Sequence, residues 1–282
     1  MKTFHETLCM VTGAGSGIGR AVALALAGEG ARLCLTDINR DGLLETIRLV
    51  GEAGGQVVAG RAFDVSDEAS VMAFADEIHR TQGSVDLVMN VAGISTWGTI
   101  EGLESAHWRR LVEVNLMGPI QVLRAFVPGM INAGRGGHIV NVSSAAGLFG
   151  LPWHGAYSAT KFGLRGVSEV LRFDLDHHNI GVSLVCPGAV DTGLVNTIDI
   201  VGVDRDDPDI QAMTRRFQRH AVTPARAAAA ILKGVRHGRY MIFTSLDVRI
   251  GYWFQRKWAW PYEMAMRLLS AKVFRLARSR GD

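Results

Sequence analysis

The tightest constraint on this chain is a change of texture close to its N-terminus. Leu8-Cys-Met-Val11 is a short apolar run, Thr12-Gly-Ala-Gly-Ser-Gly-Ile-Gly19 is rich in glycine, and Arg20-Ala-Val-Ala-Leu-Ala-Leu-Ala27 is rich in alanine. The order reads as a buried strand, a turn and a helix. Glycines let a backbone approach a pyrophosphate closely, and the free amides at the helix start favour negative charge. Gly13, Gly17 and Gly19 do not have the G-x-G-x-x-G spacing, and the turn lacks the Lys-Ser/Thr of a P-loop. An ordinary strand-to-helix loop is the alternative reading.

The rest of the chain repeats that alternation. Apolar runs at Leu8–Val11, Leu33–Asp37, Val57–Phe63, Leu87–Asn90, His138–Val142, Val182–Cys186 and Tyr240–Phe243 are separated by helical stretches. This predicts an α/β fold with a doubly wound parallel sheet of Rossmann type, helices on both faces, and a length of 282 residues sufficient for one well-buried domain. Its bounds are set at 1–246, with a basic, aromatic-rich C-terminal extension over 247–282. Cys9, Cys34 and Cys186 all fall in expected strands, as core thiols of a reducing compartment rather than disulfides or metal ligands. No histidine spacing suggests a metal, since His177 and His178 are adjacent. The expectation is a cytoplasmic protein with no signal peptide and no apolar stretch long enough to span a bilayer.

Two further signals suggest chemistry. Asp37 ends the second apolar run eighteen residues after Gly19. A carboxylate there can accept hydrogen bonds from the ribose hydroxyls of NAD and would repel the 2′-phosphate of NADP; Arg20 and Arg40 lie near enough in sequence to oppose that preference. Tyr157 and Lys161 are four residues apart, which on a helix puts them one turn apart on one face. An ammonium beside a phenol favours the phenolate and lowers the tyrosine pKa toward working pH. Tyr-x-x-x-Lys also arises on solvated helix faces, so the pair is weighed with its surroundings.

Together these motifs resemble the short-chain dehydrogenase/reductase family over about residues 5 to 245. Thr12–Gly19 is similar to its cofactor turn, Asp64-Val65 to its adenine-contacting pair, and Asn90-Val-Ala-Gly93 to its Asn-Asn-Ala-Gly stretch, with Val91 in place of the second asparagine. Asn115 matches the catalytic asparagine. Ser144, thirteen residues before Tyr157, matches the catalytic serine. Pro187-Gly188 with Val190 and Thr192 resembles the loop at the nicotinamide end.

The resemblance implies a cofactor site of Gly13, Ser16, Gly17, Ile18, Gly19, Asp37, Asp64, Val65, Asn90, Ala92, Gly93, Tyr157, Lys161, Pro187, Gly188, Val190 and Thr192. It implies Tyr157 as the general acid or base and Lys161 lowering its pKa and holding the ribose. Ser144 would sit on the substrate oxygen, and Asn115 would support a water that links Lys161 to solvent. The implied reaction interconverts a secondary alcohol and its ketone with NAD, tilted toward oxidation. An NAD(H) sensor without turnover is the alternative. A homo-oligomer, dimer or tetramer, on the helices from about Ser105 and Gly155 is implied by analogy of fold.

Three places would hold substrate: Ile94–Gly98, Leu148–His154 and the segment from Thr192 to about His220, read as a mobile lid. Phe149, Leu151, Trp97 and Trp153 suggest an apolar mouth suited to a steroid, terpenoid, aromatic or long-chain lipid, with Ser95, His154 and Leu194 as further contacts. Aromatics that merely pack the subunit are the alternative. In the extension, Arg249 to Arg280 holds eight Lys/Arg and one acidic residue, Glu263, against 22 Lys/Arg and 25 Asp/Glu in residues 1 to 248. The net charge of +3 therefore comes from the tail. Tyr252, Trp253, Phe254, Trp258 and Trp260 precede a stretch, Tyr262–Arg278, whose apolar positions 262, 265, 266, 269, 273 and 276 read as an amphipathic helix. It would either pack on its own domain or a partner subunit, or touch a membrane surface through 249–280. Nucleic-acid binding has no motif to support it.

Overall fold

The computed structural model describes residues 1–192, 199–202 and 221–278. The expected lid residues 193–198 and 203–220, Leu194 among them, lie outside the described residues.

Seven parallel strands form the central sheet: β1 (Leu8–Thr12), β2 (Arg32–Asp37), β3 (Gln56–Ala62), β4 (Leu87–Asn90), β6 (Gly137–Val142), β7 (Ile180–Cys186) and β9 (Met241–Phe243). Their order is β3-β2-β1-β4-β6-β7-β9. Every expected strand is present. A pair too short to leave a periodic signal, β5 (Thr96–Trp97) with β8 (Asp199–Ile200), forms a separate two-stranded sheet. The sheet reverses its direction of growth between β1 and β4, and open parallel sheets bind ligands at the carboxyl ends of strands flanking such a point.

Helices cover both faces: α1 (Gly17–Ala27), α2 (Arg40–Glu52), α3 (Glu68–Gln82), α4 (Ser105–Val112), α5 (Gly118–Ala133), α6 (Gly155–Asp174), α7 (Pro224–Arg236), α8 (Leu246–Lys257) and α9 (Ala259–Arg278). Local chemistry fixes several starts. The side chains of Asn39, Asp67 and Thr223 accept the first-turn amides of Gly42, Ala69 and Arg226, satisfying donors that a helix start leaves free. One face of the sheet packs Val22, Leu26, Ile231 and Val235 from α1 and α7 against Val11, Leu33 and Val140. The other packs Phe74 and Ile78 of α3 and Phe126 and Met130 of α5 against Met10, Val88 and Ile139.

One expectation needs correction. The continuous helical run Ser105–Ala133 has 29 residues and mean hydropathy 1.2, so by length and composition it is apolar enough to cross a membrane. Its apolar window is 61% buried in the fold, which accounts for the hydropathy as core packing. Between α4 and α5 this run passes through a π-helical turn, Glu113–Met117. The three cysteines are buried, and burial pushes each thiol up to about 12, as inert core groups.

His138 of β6 is buried, with Nε2 2.8 Å from Ser183 Oγ, and the Ser183 hydroxyl donates to the Arg239 carbonyl. That arrangement makes His138 the donor to Ser183. Burial lowers its pKa from 6.5 to about 4. The neutral ring is therefore favoured in the fold, and the stability it confers is present above pH 6.5 and is lost as pH falls toward about 4. Thermal unfolding should show this acid-side loss, up to about 3 kcal/mol, and His138→Phe should flatten that part of the profile. An unchanged slope in the variant would assign the loss to other groups.

Candidate active site

The carboxyl ends of β1, β2, β4, β6 and β7 open into a cleft of about 1560 Å3. At one end it is floored by the glycine turn. Gly13 has φ +66°, and a Cβ there would lie 2.7 Å from Ala92 N. A Cβ on Gly19 would lie 1.9 Å from the Gly13 carbonyl oxygen. Only glycine at both positions lets the turn fold under the start of α1 while lying against the end of β4. The Thr12 hydroxyl accepts the amides of Val91 and Ala92 at 3.0 and 3.1 Å, so those bonds are made with valine at position 91. Gly17 faces the opposite wall, where Thr192 Cγ2 would lie 3.0 Å from a Cβ.

Asp37 lines the cleft beyond the turn. Its Oδ2 accepts the Gly15 amide at 2.8 Å and its Oδ1 the Asn39 amide at 2.8 Å. Arg20 is turned to other work: its guanidinium donates to the carbonyls of Gly15 and Gly42 and to Thr46 Oγ1. Neither Arg20 nor Arg40 lines the cleft. Asp64 and Val65 do, with Asp64 receiving the Ser66 amide and hydroxyl and standing 3.5 Å from the Arg110 guanidinium.

The middle of the cleft holds Ser144, Tyr157 and Lys161 together. Ser144 lies two residues beyond the end of β6, where its Oγ accepts the Ala146 amide and caps a short 3-10 turn. Tyr157 and Lys161 come from the first turns of α6 and are both buried. Lys161 Nζ donates to the Val142 carbonyl at 3.1 Å and lies 5.7 Å from the centre of the Tyr157 ring. Asn115 sits in the π-helical turn, a deformation common at functional positions. Its side chain makes two bonds with Ile94, accepting the amide and donating to the carbonyl, both at 2.9 Å. Through Gly93 it meets the lysine: a Cβ there would lie 3.0 Å from Asn115 Oδ1 and 3.4 Å from Lys161 Nζ.

Electrostatics differ from the expectation at one point. Burial raises the Tyr157 pKa, with a hydrogen bond from Ser144 pulling the other way, and burial lowers that of Lys161 to about 8. The proximity of the ammonium does not lower the phenol below its ordinary value, because desolvation disfavours both charged forms. Burial also lowers His154, whose Nδ1 bonds the Pro152 carbonyl.

Of the other expected residues, Ser16, Ile18, Ala92, Pro187, Gly188, Val190, Ser95, Trp97 and His154 line the cleft. The Trp97 indole donates to Ser95 Oγ and its ring lies 4.3 Å from that of His154. Three side chains do not line it. Asn90 donates to Asn141 Oδ1 at 2.9 Å beneath the floor, Asn115 acts from behind Gly93, and Trp153 is buried at φ +64°. Phe149 and Leu151 line the far end as expected. There they meet residues the sequence did not assign to the site: Phe254, Gln255, Pro261, Tyr262, Ala265, Met266 and Leu269 of α8 and α9. The helical spacing of 262, 265, 266 and 269 marked an apolar face, but not which surface it covers.

The model of the short chain dehydrogenase family matches residues 7–200. The chain belongs to that family. It is 36% identical over 251 residues to a Mycobacterium tuberculosis protein described as an oxidoreductase, SadH, covering 88% of this chain and 90% of that one. Among solved structures it is similar to a short-chain dehydrogenase/reductase from Burkholderia phymatum in complex with NAD, at TM-score 0.81 and 30% identity, over 91% of this chain and 95% of that one. It is also similar to the apo form of LigO from Sphingobium sp. strain SYK-6, at TM-score 0.78 and 27% identity, over 100% and 99% of the two chains. This short-chain dehydrogenase is thus an oxidoreductase that uses a nicotinamide cofactor, and the turn with no room for a Cβ at Gly13 or Gly19 fits such a group.

Gly19→Ala should force the turn open, destabilise the protein by about 1–3 kcal/mol and sharply weaken NAD⁺ binding. Thermal unfolding and calorimetry read the two effects. Unchanged binding in the variant would mean that the turn is not where the dinucleotide rests.

Proposed function

We propose that this short-chain dehydrogenase interconverts a hydrophobic secondary alcohol and its ketone with NAD, in the direction of oxidation. The observation that carries the reading is the meeting of Ser144, Tyr157 and Lys161 in one cleft with Asp37 and the glycine turn. A nicotinamide held there would supply the hydride chemistry. The protein's part is placement and proton movement.

Ser144 Oγ holds the substrate oxygen and stabilises charge developing on it. Tyr157 exchanges a proton with the substrate oxygen, as base during oxidation and as acid during reduction. Lys161 would hold the ribose hydroxyls of the cofactor and, charged below about 8, would favour negative charge as it develops on the tyrosine oxygen. Asn115 is a positioning residue. By clamping Ile94 it fixes the segment after β4 that carries Gly93 against the lysine. NAD over NADP is supported by the Asp37 carboxylate on the cleft wall and by Arg20 being engaged elsewhere. A 2′-phosphate would meet the carboxylate without a free guanidinium from Arg20.

The extension supports a location. Trp253 and Trp258, which pack edge to face at 5.4 Å, and Trp260 are half or more exposed. Arg249, Arg256, Lys257 and Arg267 are exposed on the same two helices. Exposed indoles with interspersed cations are the composition of an interfacial helix on anionic lipid. We read a cytoplasmic enzyme that touches the inner membrane face through α8 and α9.

Two measurements test these readings. Calorimetry should show NAD⁺ bound in preference to NADP⁺. Tyr157→Phe should keep that binding while losing about a hundredfold to ten-thousandfold in turnover. NADP⁺ preference would overturn the role of Asp37, and full turnover in the variant would overturn that of Tyr157. In flotation, vesicles containing phosphatidylglycerol should carry the native protein and release it when Trp253, Trp258 and Trp260 are all changed to Ser. Equal flotation of both proteins removes the membrane reading.

A further inference from the structure

The structure ties the C-terminal helices to the loop that follows Ser144. Gly150 N–H donates to the Tyr262 hydroxyl at 2.8 Å, the Phe149 and Tyr262 rings lie 6.3 Å apart, and the Gln255 amide donates to the Leu148 carbonyl at 2.9 Å. Helix α8 comes in so closely that a Cβ on Gly251 would lie 3.3 Å from Phe149 Cζ. Arg165 of α6 holds the Tyr252 hydroxyl at 3.0 Å, which anchors α8 to the helix that carries Tyr157. The hairpin is thus bonded to the catalytic domain at three separate places.

On the cleft side this hairpin presents Phe254, Pro261, Ala265, Met266 and Leu269, while Asp247 and Val248 at the start of α8 line the cleft beside Ser245. Residues 262 to 269 give about 10 Å of helix face, continuous with Phe149 and Leu151. Leu269 is 37% and Phe254 44% exposed, so apolar surface is left uncovered along a wall that shares its cavity with Tyr157. Uncovered apolar surface inside a concave site marks a ligand-binding surface.

The polar groups divide unevenly. Ser95, Ser144 and Tyr157 are central, and Ser245 lies at the Pro187-Gly188 loop, its Oγ 2.9 Å from where a Cβ of Gly188 would be. The hydroxyl of Tyr262 and the amide of Gln255 are occupied by the loop backbone. Ala265, Met266 and Leu269 offer only hydrocarbon and a thioether. A ligand with a second polar group at its far end would leave that group unpaired against them, at a cost. Methionine and leucine instead mould themselves to a flexible chain.

We infer that the α8–α9 hairpin forms an apolar compartment for the alkyl tail of the substrate. The preferred substrate is then a long-chain secondary alcohol or methyl ketone with no polar group at the far end. Met266 and Leu269 determine the chain length accepted. This rests on the alcohol/ketone reading above and narrows it.

The test uses the full-length protein with NAD⁺ and the series pentan-2-ol to undecan-2-ol, together with calorimetric binding of undecan-2-one and pentan-2-one to the protein saturated with NADH. In the native protein kcat/KM should rise by about fourfold per methylene. Met266→Trp and Leu269→Trp should each lower the undecanol-to-pentanol ratio at least tenfold and weaken undecan-2-one binding more than pentan-2-one binding. Met264→Trp, on the outward side of α9, should leave the ratio as in the native protein.

Turnover with a ratio near one, or a ratio unmoved by both inward variants, overturns the compartment while the alcohol reading stands. Undecan-2-one binding that Met266→Trp weakens, without oxidation of any alcohol, overturns the alcohol reading while the compartment stands. Failure of the native protein to bind undecan-2-one more tightly than pentan-2-one overturns the inference outright.

Discussion

A buried ammonium is the demand around which the centre of this molecule is arranged. Lys161 is 4% exposed, and a cation out of water is costly unless oxygen atoms face it. The Val142 carbonyl faces it from the end of β6, and Ser143 Oγ donates to the carbonyl of Lys161 itself. For the end of β6 to come this near, α6 must meet the neighbouring loops without intervening side chains. Gly147, where a Cβ would lie 2.3 Å from Ser143 Oγ and 2.9 Å from the Lys161 carbonyl, and Gly93 supply that room. The position of Tyr157 one turn earlier follows from where the lysine must sit.

Behind the cleft runs a chain of buried polar bonds. Asn90 donates to Asn141, Asn141 to Ser168, and Ser168 to the Leu164 carbonyl, linking β4, β6 and α6. Such a network has one satisfying geometry, so it fixes the register of the helix on the sheet as well as adding stability. The Asn115 clamp on Ile94 does the same from the other side, and it needs the π-helical turn to aim its amide. The site is held by side chains that do not touch the cleft, which is why Asn90 and Asn115 belong to its support rather than its surface.

The sequence made the sheet legible because its inner strands, β1, β2, β4, β6 and β7, are buried on both faces and read as largely apolar runs, while the more exposed edge strands β3 and β9 still carry short apolar stretches. The glycine turn was legible because its residues are dictated by backbone clearance. Ser144, Tyr157 and Lys161 were legible through family spacing. What escaped was set by distant contact: the pairing of Thr96–Trp97 with Asp199–Ile200, the placement of Trp153 away from the cleft, and the bond from Gly150 to Tyr262, 112 positions apart. The upward shift of Tyr157 escaped for a related reason. Spacing along a helix reports a neighbouring charge but not the loss of water around both groups.

The strand order carries a consequence for how the molecule is made. The glycine turn, Asp37 and the first six strands of chain order precede α6, whereas β9, α8 and α9 follow it. A nascent chain can assemble the nucleotide side, then bring Ser144 and Tyr157 together, before the wall formed by α8 and α9 has been made. That wall therefore joins after the sheet, and a chain cut short after β9 would carry Tyr157 in a trough open along one side.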